Sequence, residues 1–456
     1  SSSSIWRTVL ILRTVLFLRT VLFPRTVPLL TRAPARSSDR ESGRWSPLPS
    51  PPRPWARRSS RTPGLWGTAE APRDPGNRRV TCGQHTGTAR EPVRSATLGE
   101  SDGPLARSHD LALLDLDGVV YIGPDPVPGA TEALAAARAV GMRLAFVTNN
   151  ASRTPSTVSE HLVRLGIPAT PDEVVTSAMA AAALLARRLG VGERVLVAGG
   201  EGLHRALEDR GLVPVRSMAE RPAAVVQGFG PRVGRRELTE VVAAVRAGLP
   251  WIATNRDPTV PTPTGRSPGN GALVARVVAA TGEQPQVAGK PQPTLFTEAV
   301  QRYRSRSPLV VGDRLDTDLE GARAAGMPGL LVLTGVTDVP ELLAAAPGFR
   351  PTFVGRDLGA LHESHPRPLL AGGDGARLVR CREAEVAMTR GELRIVRPGA
   401  PLDLLRAACV ACWTRADEQA GAAPDPKDPT APDLPRGAEV VVAALATLDQ
   451  RRPRSR

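Results

Sequence analysis

From about residue 108 the chain alternates short apolar runs with amphipathic helical stretches. The runs are LALLDLDG (111–118), RLAFVTNN (143–150), ERVLVAGG (193–200), AAVVQGFG (223–230), PWIATN (250–255), PLVVGD (308–313) and GLLVLTG (329–335), spaced by Ala/Leu/Arg stretches such as 131–140 and 235–247. Unbroken apolar runs of this length suit strands buried on both faces. The pattern predicts βαβ units around a parallel sheet, an α/β doubly wound core. Ligands in such sheets sit beyond the carboxyl ends of the strands. The polar residues that end each run are therefore the candidates for chemistry.

The flanks read differently. Residues 1–106 open with a hexamer repeat, RTVLIL, RTVLFL, RTVLFP and RTVPLL, and continue as Arg/Pro/Ser/Gly text without sustained periodicity, so a disordered leader is expected. Arg7, Arg13, Arg19 and Arg25 leave no uncharged apolar run of 18 residues, so no membrane span is expected. The acid-free, Ser- and Arg-rich start also has the composition of a transit peptide, the second reading of this segment. Beyond about 350, the stretch 376–388 and the stretch 392–396 around Gly391 predict an antiparallel pair. A helix follows over 401–417, then a Pro/Asp/Ala linker over 419–437. The expected division is a core of 107–182 with 286–350, an inserted cap of 183–285, and a small α+β module of 351–456.

Composition refines this picture in three places. Aromatic residues are only 3% of a chain that is 41% hydrophobic, so the core must be aliphatic. Four cysteines in 456 residues exclude a disulfide scaffold and suit a reducing, cytoplasmic setting. The net charge of +14 divides unevenly: residues 1–106 carry 17 Arg against 7 acidic residues, leaving 42 basic and 38 acidic for the rest. The basicity belongs mostly to the leader, and nucleic acid is not the expected partner of the folded part.

Four strand ends carry the candidate chemistry. Asp115 and Asp117, at i and i+2, lie on one side of a strand end, and Gly118 lets the chain turn away. Like charges that close invite a divalent cation, and an Asp there can also attack as a nucleophile. Thr148, Asn149 and Asn150 offer a hydroxyl and two amides. Lys290, one of only two lysines beside 57 arginines, follows Gly289 in a strand-end loop, where its ammonium suits a phosphoryl oxygen. Asp313 ends another run as a metal ligand, with Asp318 placed to support it from the second shell.

In this order, DLDGV, TNN, GKP and GDRLDTD resemble the signature of the haloacid-dehalogenase-like hydrolases over about 108–350. The resemblance implies that Asp115 attacks phosphorus and Asp117 protonates the leaving oxygen, then activates water. Thr148, Asn149 and Lys290 would bind phosphate. Mg²⁺ would be held by Asp115, the Asp117 backbone carbonyl and Asp313. The second Asp favours phosphate-ester hydrolysis over dehalogenation. Between Thr148 and Lys290, the pieces resemble the cap of the subfamily of pyridoxal-phosphate, p-nitrophenyl-phosphate and nucleotide-monophosphate phosphatases. The loop carrying Asn255 and Asp257 would face the Asp pair and choose the substrate. Gly230 stands where relatives usually place an Asp.

The third module resembles the acetyltransferase-like extension of actinobacterial glycerol-3-phosphate phosphatases. It carries no pyrophosphate-loop pattern between 370 and 417, so a binding or assembly role is expected there. The small phosphomonoester expected as substrate is glycerol 3-phosphate, and a homo-oligomer stays open. The alternative of another class is a regulatory or nucleic-acid-associated protein using the third module or the leader's arginines and Trp6, Trp45, Trp55 and Trp66. Cys409 and Cys412 read as small core residues, with a Zn²⁺ site shared with Cys381, or with His362 and His365, as the alternative. VAGGEG (197–202) reads as a cap turn, and His109, His161 and His204 are assigned no chemistry.

Overall fold

A computed structural model describes residues 98–446 except 263–264, 374–375 and 420–433. The expectations for the repeat, the four tryptophans of the leader and most of the linker lie outside the described residues. Residues 98–106, expected in the leader, instead belong to the fold. Leu98 and Leu105 are buried, the Gly99 N–H donates to the Thr352 carbonyl at 2.8 Å, and Ser101 bridges to His365.

The core is a six-stranded parallel sheet in the order Phe353–Gly355, Gly329–Val332, Pro308–Gly312, Leu111–Leu114, Arg143–Thr148, Val174–Thr176. Its central strand shows why the apolar runs are unbroken. Ala112 and Leu114 pack into one hydrophobic layer, Leu111 and Leu113 into the layer on the opposite face. Register does the rest: Leu114 pairs with both Val311 and Phe146, so all three chains run out at the same edge of the sheet. Asp115, Asp313 and Thr148 therefore emerge together.

The cap is a five-stranded parallel sheet in the order Gln286–Val287, Trp251–Ala253, Ala224–Gln227, Arg194–Ala198, Val213–Val215. The Arg235–Arg246 and Asn270–Thr281 helices cover one face. The other face shares a layer with the Ser177–Ala186 helix, which thus bridges cap and core. The Gln286–Val287 strand was expected to reopen the core; it pairs with Trp251–Ala253 and belongs to the cap sheet, so the return falls just after it. VAGGEG is the turn between the Arg194–Ala198 strand and the Glu201–Glu208 helix, and the Gly202 N–H donates to the Ser152 carbonyl at 3.1 Å.

The third module has four antiparallel strands rather than the expected pair: Leu369–Gly373, Ala376–Cys381, Ala384–Thr389 and Glu392–Arg397. The apparent single run 376–388 is a hairpin folded at Arg382–Glu383. Arg382 takes φ 50°, a left-handed conformation that no Gly or Asn in the text announces. The Pro401–Gln419 helix crosses this sheet.

Candidate active site

The carboxyl edge of the core sheet gathers a cluster of opposed charges. The Lys290 ammonium, 4% exposed, donates to Asp115 Oδ1 and, at 2.7 Å, to Asp318 Oδ1. Asp115, Asp313 and Asp318 bring their carboxylate oxygens within 4.8 Å of one another, the only group of three or more metal-ligating side chains so placed among the described residues. Three carboxyl groups face one ammonium, so their full ionisation would leave two negative charges uncompensated in a buried site. Burial pushes Asp115 and Asp313 up, Asp313 well above the usual carboxylate range, with its neighbours Asp318 and Asp115 adding repulsion. Burial likewise takes Asp318 up to about 6, although Lys290 pulls it down. For Lys290 burial alone would favour the neutral amine, but the attraction of Asp115 and Asp318 outweighs it and raises its pKa.

The two supporting carboxylates differ in what their oxygens already hold. Both Asp318 oxygens are engaged: Oδ1 takes Lys290 and Oδ2 accepts the Arg314 N–H at 3.2 Å. Asp313 accepts the Val336 N–H on Oδ2 at 2.6 Å, while its buried Oδ1 has no partner among the described residues. An orphaned carboxylate oxygen beside a second carboxylate and an excess of two negative charges fits a hard divalent cation. No room remains for a side chain: a Cβ at Gly118 or Gly335 would overlap Asp313 Oδ2. Gly118 also takes φ 87°, which turns the chain away after Asp117, and its carbonyl is held by Thr334 Oγ1 at 2.5 Å.

Asp117 points to solvent at the mouth. Crowding by the surrounding walls still raises its pKa, against the pull of Lys290 and of the exposed Arg153. A carboxyl that holds its proton more tightly than usual and reaches solvent is suited to giving that proton to a leaving group. Thr148 is buried, and its Oγ1 accepts the Asn150 N–H at 3.1 Å, which leaves its own O–H to donate.

Asn149, expected as a phosphate ligand, has its side chain engaged by neighbouring segments. Its side-chain amide is spent on positioning: Oδ1 accepts the Lys290 N–H at 2.8 Å, and Nδ2 donates to the Lys290 carbonyl and to both Asp257 oxygens at 3.2 Å. A Cβ at Gly289 would collide with this amide and with the Thr254 carbonyl, so the glycine before Lys290 lets the three loops approach closely there. Asn255, expected to face the substrate, is buried behind the site. Its Nδ2 donates to the Asn149 carbonyl at 2.7 Å and its Oδ1 accepts the Asp257 N–H at 3.2 Å. Asp257 alone of that pair stays half-buried next to the cluster. Burial raises its pKa, opposed by Asn149, Lys290 and Arg314.

Two groups escaped the sequence reading. The Thr334–Thr337 loop supplies the Val336 N–H, and the Thr337 N–H donates to the Asp313 carbonyl at 3.1 Å. The run GLLVLTG was recognised as a strand, and the rule that its polar end borders the site would have found Thr334 and Gly335. Arg153 was likewise passed over. His161, assigned no chemistry, packs edge-on against Tyr121 with centroids 5.1 Å apart, one residue shell away from Asp117.

Cys381, Cys409 and Cys412 are buried free thiols, and no metal-ligating group of three forms around them among the described residues. Burial takes Cys381 and Cys412 up to about 12, which suits inert core thiols and not zinc thiolates.

The family description "Haloacid dehalogenase-like hydrolase" matches residues 112–213, and a related HAD-hydrolase-like description matches 287–361. The D-glycerol 3-phosphate phosphatase of Mycobacterium tuberculosis is 47% identical over 317 residues, 68% of this chain and 87% of that one. The chain belongs to the haloacid dehalogenase-like hydrolases. It is a phosphoric monoester hydrolase. The crystal structure of the glycerol phosphate phosphatase of that organism in complex with magnesium superposes with a TM-score of 0.63 at 44% identity, covering 68% of this chain and 92% of the other. The 4-nitrophenylphosphatase of Thermotoga maritima gives 0.52 at 32% identity, covering 56% and 97%. A GCN5-related N-acetyltransferase-like description matches 379–434. No helix among the described residues is long and apolar enough to cross a membrane.

The raised carboxylates set a pH dependence. A carboxyl with a folded pKa above its unfolded one binds its proton more tightly in the native state, so the metal-free protein loses stability as pH rises through the window, here from the usual 3.8 to about 6 for Asp318. A dication reverses this, because it binds the deprotonated cluster. The rise in melting temperature on adding Mg²⁺ is expected to be larger at about pH 7.5 than at about pH 5. Equal shifts at both would show that the cluster is not where the ion binds.

Proposed function

We propose that the chain hydrolyses glycerol 3-phosphate through a phosphorylated Asp115, with Mg²⁺ as cofactor. The reading rests first on the buried knot of Asp115, Lys290 and Asp318 beside the unpartnered Asp313 oxygen. The choice of substrate rests on the 47% identity to the mycobacterial glycerol 3-phosphate phosphatase.

Asp115, the Asp117 backbone carbonyl and Asp313 Oδ1 would hold Mg²⁺, which supplies charge neutralisation for the carboxylates and the phosphoryl oxygens. Lys290 spends two of its three N–H donors on Asp115 and Asp318; the third is left for a phosphoryl oxygen. The Thr148 O–H donates to another. Lys290 also fixes the Asp115 carboxylate, so the nucleophile is oriented before substrate arrives. Its oxygen forms a bond to phosphorus as the bond from phosphorus to the glycerol oxygen breaks, and Asp117 gives its proton to that oxygen. Asp117, now a carboxylate, takes a proton from water as the water oxygen attacks phosphorus. Inorganic phosphate leaves and Asp115 is regenerated. Asp257, held by Asn149 at the cap's border with the core, is placed to accept from a hydroxyl of the substrate's alcohol portion.

A comparison of glycerol 3-phosphate with glycerol 2-phosphate, p-nitrophenyl phosphate, pyridoxal phosphate and a nucleoside monophosphate tests the reading. With Mg²⁺ and the full chain, kcat/KM should favour glycerol 3-phosphate by about tenfold or more. A higher value for any of the others would overturn the substrate and leave the phosphatase standing.

A further inference from the structure

The acetyltransferase-like module shares its hydrophobic core with the phosphatase. Val379, Val386, Leu404, Leu405, Val410 and Trp413 of the module sit in one cluster with Leu315, Leu319, Leu331, Val339, Leu342 and Leu343 of the catalytic half. Leu315 and Leu319 bracket Asp316 and Asp318. Val339–Leu343 is the short helix that follows the loop donating to Asp313.

We propose that this module is a brace for the metal site, acting through Trp413 and the Arg350–Asp417 pair on the loop that holds Asp313. The inference rests on the reading that Asp313 is a Mg²⁺ ligand. A helix of five residues cannot hold itself in place, since it has barely one turn of internal bonds. Its start is capped by Asp338, which accepts the Glu341 N–H at 2.9 Å. Its end is held from outside. Trp413 Nε1 donates to the Leu342 carbonyl at 3.0 Å, and Arg350 Nε donates to the Ala345 carbonyl at 2.9 Å. Arg350 is in turn gripped by both Asp417 oxygens at 2.7 and 2.8 Å and lies 5.3 Å from the Trp413 ring. Trp413 and Asp417 both lie on the Pro401–Gln419 helix, which packs against the short helix. So the loop from Thr334 to Asp338 is tethered at one end by the core strand Gly329–Val332 and at the other by the module. Its Val336 and Thr337 N–H groups fix the Asp313 side chain and carbonyl, while Oδ1 has no hydrogen-bond partner among the described residues. At the start of the module's helix Asp403 is buried against Arg406 at 2.9 Å, and a side chain at Gly399 would collide with the Ala384 backbone.

Three full-length variants test this: Trp413→Phe, which keeps an aromatic ring but loses the N–H and part of the buried volume, Asp417→Asn, which loses the charge, and Asp417→Glu as the conservative partner. Amide exchange at Val336 and Thr337 is measured without metal, Mg²⁺ affinity by calorimetry, and kcat and KM for p-nitrophenyl phosphate at saturating Mg²⁺. Outer-shell support of a metal ligand is worth about 10–100-fold in affinity. One step further out, Trp413→Phe and Asp417→Asn should each weaken Mg²⁺ by about three- to tenfold and speed exchange at the two amides, with KM unchanged and Asp417→Glu largely restored. Unchanged exchange and unchanged Mg²⁺ affinity in both variants would overturn the proposal, as would a change in KM without one in Mg²⁺ affinity. Should Trp413→Phe fail to fold, the Asp417 pair decides alone. A wild type that binds Mg²⁺ yet turns over no phosphomonoester would count against the functional reading and not against the brace.

Discussion

Asp115→Asn is expected to lower phosphate release by at least about 10⁴-fold, the scale on which a removed nucleophile acts. The amide fills the same space but has no lone pair of sufficient basicity to bond phosphorus. Folding should survive. The wild-type site crowds three carboxylates around one ammonium, and Asp115 is itself held above the usual range by burial, so removing its charge relieves repulsion. Lys290 keeps Asp318 at 2.7 Å. The metal-free variant should therefore melt at or above the wild-type temperature while its Mg²⁺ affinity falls. Undiminished Mg²⁺-dependent phosphate release from the variant would refute the assignment of the nucleophile.

Lys290→Met should damage both stability and chemistry, and the two effects can be separated. Removing one partner of a buried ion pair leaves the other charge uncompensated, which costs about 3–5 kcal/mol; here two carboxylates, Asp115 and Asp318, lose the same partner. Without the ammonium their pKa values rise further. The native state then gains protons at low pH that the unfolded chain does not, so the stability deficit should be larger at about pH 8 than at about pH 5 in denaturant melts. Turnover should fall by about 10³-fold, as expected when a fixed cation facing developing phosphoryl charge is lost. Adding Asp318→Asn should recover much of the stability and none of the turnover. Recovery of turnover in the double variant would reduce Lys290 to a structural counter-ion.

What stayed illegible shares a cause. The Asn149 amide engages Lys290 and Asp257, 141 and 108 positions away, and the Asn255 Nδ2 donates to the Asn149 carbonyl 106 positions away. The hairpin within 376–388 was missed because an arginine occupies its left-handed turn position. The module's share in the catalytic half's core is illegible because nothing in its own sequence shows that Trp413 packs in one cluster with Leu315 and Leu319.

What the sequence determined by itself is local. Unbroken apolar runs fix buried strands, a carboxylate or a lysine just past such a run marks the candidate edge, and that rule picks out Asp115, Asp117, Lys290 and Asp313 as candidates. Which oxygen of which aspartate is free was decided only by tertiary structure. The pairing of Leu114 with Val311 and Phe146, the Val336 N–H on Asp313 and the Arg314 N–H on Asp318 join segments by backbone hydrogen bonds. Every residue but proline carries the same backbone donor and acceptor, so the sequence cannot name the partner in advance.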